Sequence, residues 1–522
     1  MDRGIGSWVT KRARLDGKKP ALVEGERILT YEDFDRRTNQ LAHALVTLGV
    51  RTGDRVAVLL LNSVTFMEAV YGCAKLGAII VPVNVRLNGP EVAYILADAG
   101  ADVLLSHQRL AGAARAAMAE PGVRVRHHLV DADPLAGART VELAAGELAY
   151  QEVVGSASMA PLDMDVDPRA VHGLMYTSGT TGAPKGAMLT HANAIANARN
   201  ALLAPGQALR ASDVTVTAAP MFHIGGLGVH SLPFVYVGAT NVILPGFDPE
   251  ATLAAMARHR ATVAFLVPAM WAAISRVPDF DRYDLSALKM ALSGGAPTPL
   301  PVIEFFTARG ITFQEGFGMT ETAPSVSILD AEHIVEKLGS IGRPLPDVEA
   351  RLVDDDDRDV ALGQVGELVL RGENIFAGYW MLPQATAEAF RGGWFHTGDL
   401  GKMDADGYLT LVDRKKDMII TGGENVYPVE VEQVLVRHPA VREAAVFGLP
   451  DARWGETVVA AVALDHPVDP AELIEHCRSA LAHFKCPTRV EVVEELPRNA
   501  TGKVRKTALR TAYGGTAAAV PR

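Results

Sequence analysis

The densest chemistry in the chain lies in Tyr176-Thr177-Ser178-Gly179-Thr180-Thr181-Gly182-Ala183-Pro184-Lys185-Gly186. Glycines let a backbone turn its N–H groups inward as a nest for anions. Four hydroxyls add donors and Lys185 adds a positive charge, so polyphosphate is the ligand such a loop suits. It is not a Walker loop, because Gly186 rather than Ser or Thr follows Lys185. Four further segments carry isolated polar groups: Gln314-Glu315-Gly316-Phe317-Gly318-Met319-Thr320-Glu321, Trp394-Phe395-His396-Thr397-Gly398-Asp399-Leu400, Asp413-Arg414-Lys415-Lys416-Asp417, and Leu496-Pro497-Arg498-Asn499-Ala500-Thr501-Gly502-Lys503. Taken singly, Glu321 and Asp399 read as caps, Arg414 as a surface charge, and Lys503 as an idle lysine in an exposed loop.

The elements that must position these groups follow a strand–helix alternation. Short apolar runs at 55–61, 78–83 and 102–106 alternate with Ala-rich amphipathic stretches at 64–76 and 89–99, and the pattern recurs from Ala170 to about Leu292. This implies a largely parallel sheet covered by helices. The polyphosphate loop follows an apolar strand at 171–176 and precedes a helix from about Thr190. From about Asp347 the strands become short and turn-rich, and the four aspartates Asp354–Asp357 read as a solvated hairpin turn rather than a metal site. After 413–417 a smaller α+β unit follows, with helices expected at 428–437 and 470–482.

A chain of 522 residues is too long for one compact core. The net charge of −11 argues against a nucleic-acid partner. Cys73, Cys477 and Cys486 form no CxxC pair, so neither a disulfide framework nor a cysteine metal cluster is expected. The first residues lack the apolar stretch of a signal peptide, no run is long enough to cross a bilayer, and the last residues are not a peroxisomal address. The expected location is cytoplasmic.

From Leu29-Thr30-Tyr31 to Lys506 the motifs and their order resemble the adenylate-forming enzymes: acyl-CoA synthetases, firefly-type luciferases and peptide-synthetase adenylation domains. The likeness is greatest to a bacterial fatty acyl-CoA synthetase. The resemblance implies an α/β fold. A large N-terminal domain, residues 1–414, would combine parallel-type sheets covered by helices with a small distorted barrel. A small mobile α+β domain, residues 415–522, would turn about a hinge at Lys416. It implies ATP and Mg²⁺, with coenzyme A as co-substrate. Thr177, Ser178, Gly179, Thr180, Thr181, Gly182 and Lys185 would hold phosphates. Gly295, Ala296 and Pro297 form the adenine-side loop, with Glu315, Gly316, Phe317 and Gly318 beside it. Glu321, with Thr177, would hold the metal and Thr320 would contact phosphate. Asp399, a carboxylate that can accept two O–H donors, would bond the ribose diol, and Arg414 would add a second ribose contact. Lys503 would bridge the substrate carboxylate and the α-phosphate, two anions that repel. Gly422, Gly423 and Glu424 would line a pantetheine tunnel.

The acid itself is expected to lie against His223, Gly225, Gly228 and Met319, with His223 near its carboxyl group. For Gly225 and Gly228 the alternative is close helix packing. Segments 221–228, 264–271 and 316–325 contain no Lys or Arg, so a second carboxylate has no evident partner. The expected reaction is therefore ATP-dependent ligation of a medium- or long-chain fatty acid to CoA through acyl-AMP, with an aryl acid as runner-up. The alternatives are an adenylation enzyme that loads a carrier protein and a catalytically inactive acyl- or nucleotide-binding homologue. The reading leaves open a homodimer, peripheral membrane contact and a lysine acetyltransferase acting on Lys503.

Overall fold

The apolar, β-branched runs pair side by side in parallel, as the strand–helix alternation requires. In the computed structural model the described residues are 3–132, 142–162, 164–177, 183–206, 208–415, 417–422, 424–451, 453–498 and 504–514. They fall into two compact units, residues 1–350 with 370–395 and residues 351–369 with 396–522.

One sheet of the first unit has seven strands, in spatial order Glu147–Ala149, His127–Asp131, Val103–His107, Arg55–Leu59, Ile79–Pro82, Val171–Thr177 and Lys185–Thr190. Every neighbouring pair is parallel except the last, an antiparallel hairpin. A nine-stranded sheet runs Arg343–Pro344, Ser325–Leu329, Thr312–Gly318, Met290–Gly294, Val263–Leu266, Val214–Thr217, Thr240–Ile243, Pro20–Glu24 and Arg27–Thr30. It is parallel within and antiparallel only towards its edges. Inner strands such as Ile79–Pro82 are buried throughout, which explains their unbroken apolar sequence.

Where a small distorted barrel is expected, the described strands form a four-stranded sheet: Val348–Val353, Gly366–Gly372, Phe395–Met403 and Leu409–Arg414. The turn after the first of these is the aspartate run. Asp354 accepts the N–H groups of Asp356 and Arg358, while Asp355 pairs with Lys415 at 2.7 Å. In the second unit, Val441–Asp451 and Gly455–Leu464 centre a five-stranded sheet, packed with helices Pro428–Leu435 and Pro470–Ala480. The three cysteines are buried thiols. No helix among the described residues is long and apolar enough to cross a membrane.

Helix Val64–Leu76 is buried along its whole length and carries two charges into the core. Both are paired, as buried charges must be. Glu68 accepts from Arg27, Arg37 and the Tyr150 hydroxyl, and Lys75 donates to Asp35 and Asn39. Glu24 is less well supplied. It accepts the Val64 N–H at 3.2 Å, and burial pushes its carboxyl up to about 7 despite Arg27 nearby; Asp131 and Glu68 push the same way. Below its unfolded value of 4.5 the group is protonated in both states and costs nothing. As pH rises towards 7 the unfolded chain ionises first, so stability falls by about 1.4 kcal/mol per unit. Glu24→Gln should therefore gain on the parent chain by roughly 3 kcal/mol between pH 4.5 and 8. Denaturant unfolding at the two pH values checks this, and a constant gap would refute it.

Candidate active site

The segment expected to hold polyphosphate lies between two antiparallel strands, Val171–Thr177 and Lys185–Thr190. Thr177, the last residue of one strand, stands opposite Lys185, the first residue of the next. The second strand runs into helix His191–Leu203 through a capping box: Thr190 Oγ1 accepts the Asn193 N–H, and Asn193 Oδ1 accepts the Thr190 N–H. A strand–loop–strand geometry confirms that this is not a Walker arrangement, in which the loop would open directly into a helix. Ser178, Gly179, Thr180, Thr181 and Gly182 lie outside the described residues.

Lys185 and Glu321 meet through a residue the sequence did not single out. The Tyr379 hydroxyl donates to Glu321 at 3.0 Å, and Lys185 Nζ lies 5.1 Å from the centroid of the same ring. Glu321 sits in the short 3-10 turn Thr320–Thr322, buried, and its own carbonyl accepts the Phe376 N–H. Segment 373–380 is fastened at several points. Asn193 donates to the carbonyls of Glu373 and Ile375, and Asn374 donates to those of Thr322 and Ser325. The Trp380 N–H donates to Gly186 O beside Lys185. The sole sequence signal was Gly378-Tyr379-Trp380, an aromatic pair after a glycine, which lacks a distinctive spacing. A hard carboxylate oxygen beside a lysine and hydroxyls at Thr177 and Thr320 is a donor set suited to a magnesium nucleotide.

The loop expected on the adenine side follows strand Met290–Gly294. Gly295 has φ +89, a left-handed conformation that admits glycine, and Gly295, Ala296 and Pro297 are exposed. Thr298 anchors the far end, its N–H donating to Glu315 at 2.7 Å and its hydroxyl to Ser293 at 2.8 Å. Burial raises the Glu315 carboxyl, and the Thr298 bonds oppose it. Gly316 and Phe317 complete strand Thr312–Gly318, and a Cβ on Gly318 would fall 1.7 Å from the Pro324 carbonyl oxygen. Only glycine lets strand and turn approach so closely.

His223 caps the helical segment that begins at Ile224, its Nδ1 accepting the Gly225 N–H at 3.1 Å. A Cβ on Gly225 would contact the Phe265 ring at 3.3 Å. At Gly228 the structure shows close packing. Its missing Cβ would lie 2.6 Å from Pro324 Cδ, and its carbonyl is held by Asn197 at 2.8 Å. The helix is pinned there to the loop bearing Glu321. Met319 starts that loop, its N–H donating to the Pro324 carbonyl.

On the second unit, Asp399 and Arg414 face each other across neighbouring strands, with Arg414 Nε 2.9 Å from Asp399 Oδ1. The Asp399 N–H donates to Thr397 Oγ1, and Glu367 ties Lys415 to His396. Asp413 accepts the Val429 N–H at the start of helix Pro428–Leu435, and burial raises its carboxyl. Gly422 donates its N–H to Trp454 O, and a Cβ there would touch the indole at 3.0 Å; Glu424 is exposed. Lys416, Gly423 and Lys503 lie outside the described residues.

Comparison with known proteins shows the family. The family model described as AMP-binding enzyme matches residues 9–380, and its C-terminal domain matches residues 430–503. A feruloyl-CoA synthase of Amycolatopsis sp is 41% identical over 98% of this chain and 100% of its own. Long-chain-fatty-acid–CoA ligase FadD13 of Mycobacterium tuberculosis is 36% identical over 98% of this chain and 99% of its own. The crystal structure of the anthranilate CoA ligase AuaEII with anthranoyl-AMP aligns at TM-score 0.88 and 31% identity, covering 98% of this chain and 97% of that one.

Tyr379→Phe keeps the ring near Lys185 and removes the bond to Glu321. Hydrogen bonds to charged groups are worth about 1.5–3 kcal/mol, so ATP–pyrophosphate exchange should fall roughly tenfold or more. Exchange at the parent rate would show that Tyr379 does not position the carboxylate.

Proposed function

Since the chain belongs to the AMP-binding enzyme family and is an ATP-dependent acid–CoA ligase acting through an acyl adenylate, we propose that its acid is an aryl or arylalkenoic carboxylic acid with no second charged group. Three things support this: full-length likeness to a feruloyl-CoA synthase, likeness to an anthranilate ligase structure, and the absence of Lys and Arg from 221–228, 264–271 and 316–325. A medium- or long-chain fatty acid is the second reading, favoured by the 36% identity to FadD13.

The observation that carries the chemistry is the placing of Lys185 and Glu321 around Tyr379. The carboxylate of the acid attacks the α-phosphorus of ATP, forming the mixed anhydride and releasing pyrophosphate. Lys185 offsets phosphate charge, Glu321 with Thr177 would hold Mg²⁺, and Thr320 contacts phosphate. The metal supplies positive charge to the departing phosphates. Asp399 and Arg414 take the ribose. Lys503 stands between the two anions in this step. The thiol of CoA then attacks the acyl carbon and AMP leaves. Residues 415–522 turn about Lys416 between the steps, exchanging Lys503 for a tunnel bordered by Gly422, Gly423 and Glu424.

A panel of aryl and fatty acids assayed for AMP release with CoA tests the substrate class; higher kcat/KM for long-chain fatty acids would reverse it. Replacing CoA with an acyl carrier protein tests the acceptor. Lys503→Ala should abolish acyl-AMP formation while sparing thioester formation from supplied acyl-AMP. Acetylation of Lys503, which removes the same charge, should have the same effect. Equal loss of both half-reactions would overturn the assignment of Lys503 to the first.

A further inference from the structure

The helical segment after His223 is not regular. A turn at Ile224–Gly226 passes into a π-helix at Leu227–Ser231 before the α-helix resumes at Leu232–Val237. π-turns are rare and concentrate at functional sites. This one carries His230, which is 3% exposed. Its Nδ1 lies 3.3 Å from Thr215 Oγ1, and its Nε2 is buried with no hydrogen-bond partner among the described residues. Burial pushes the imidazole down to about 3, so the ring is neutral at physiological pH, with one donor and one acceptor nitrogen. Phe234 and Phe265 flank it, with centroids at 5.3 Å and 6.4 Å.

His230 lines a small cavity together with Thr215, Val216, Thr217, Ala219, Gly225 and Phe265, so its lining mixes polar and apolar groups. Thr217 bonds Ser231 at 3.2 Å, and Ser231 donates to Gly226 O at 2.8 Å. Gly225 keeps the roof open, since a side chain there would press on Phe265. A hydrocarbon tail ending in this cavity would leave the His230 nitrogen unsatisfied, as it is now. A hydroxyl would satisfy it, and the ring bearing that hydroxyl would meet Phe265.

We propose that His230 is a specificity-determining residue that reads a hydrogen-bonding group, such as a para-hydroxyl, at the far end of an aryl acid. This rests on the ligase reading above and on the cavity beneath Gly225 forming the deep end of the acid site. Sites built to pair a substrate hydroxyl discriminate strongly against the analogue that lacks it, because buried polar groups are otherwise left unpaired.

The test compares 4-hydroxycinnamic and cinnamic acids, measuring kcat/KM for AMP release by the full chain. The parent enzyme should favour the hydroxylated acid by roughly tenfold or more. His230→Phe should bring the two acids within about threefold of each other, the loss falling on the KM of the hydroxylated acid, whereas His230→Gln, which retains a donor, should keep part of the preference. Thr215→Val, which loosens His230 without touching its outer nitrogen, should narrow the preference as well and stands in if the histidine variants do not fold. A parent enzyme with no preference, a preference that survives His230→Phe, or an equal loss on both acids would overturn the proposal. If no acid supports pyrophosphate exchange or thioester formation, the ligase reading itself fails, a different outcome from activation without preference.

Discussion

A buried carboxylate and a nearby lysine are held to one phenol ring. Tyr379 gives Glu321 the hydrogen bond that a buried charge demands and offers Lys185 the face of its ring. Much of the first unit serves to hold that ring in place. The capping box that starts helix His191–Leu203 frees the Asn193 amide to grip the carbonyls of Glu373 and Ile375. Asn374 grips the turn that bears Glu321. Hairpin, helix, turn and segment 373–380 thus form one hydrogen-bonded assembly. It holds the Glu321 carboxylate and the Lys185 ammonium at one ring.

The same turn holds the helical segment after His223. Asn197 binds Gly228 O and accepts from the Ser325 N–H, so the helical segment after His223 is locked to the loop of Glu321. Gly228 is small because Pro324 lies on it, and Gly225 is small because Phe265 lies near it. Gly225 borders a small cavity in which the Thr215 and Thr217 hydroxyls and the His230 imidazole stand among Val216, Ala219 and Phe265.

Features confined to one short stretch were legible in the sequence. The glycine-rich loop between two strands, the helix after Thr190 and the parallel alternation of strands and helices all follow from local composition and period. Asp399 and Arg414 were readable as separate motifs, and the antiparallel pairing of their strands brings them into contact. What stayed hidden depends on partners remote in sequence. Tyr379 is 58 residues from Glu321, and His230 acquires its meaning from Thr215, which is on a separate strand. A π-turn leaves no mark in the 3.6-residue period by which helices are recognised. Gly228 was ambiguous because a glycine needed for packing and one needed for a ligand look alike until the neighbour is known.

The central claim is that Lys185 and Glu321, poised on Tyr379, receive the magnesium nucleotide. A crystal structure with Mg²⁺ and an ATP analogue that cannot be cleaved between the α- and β-phosphates examines this directly. A Glu321 carboxylate oxygen should lie about 2.1 Å from the metal, the octahedral Mg²⁺–oxygen distance, with Lys185 Nζ on a phosphate oxygen. A metal bound away from Glu321 and no phosphate at Lys185 would contradict it.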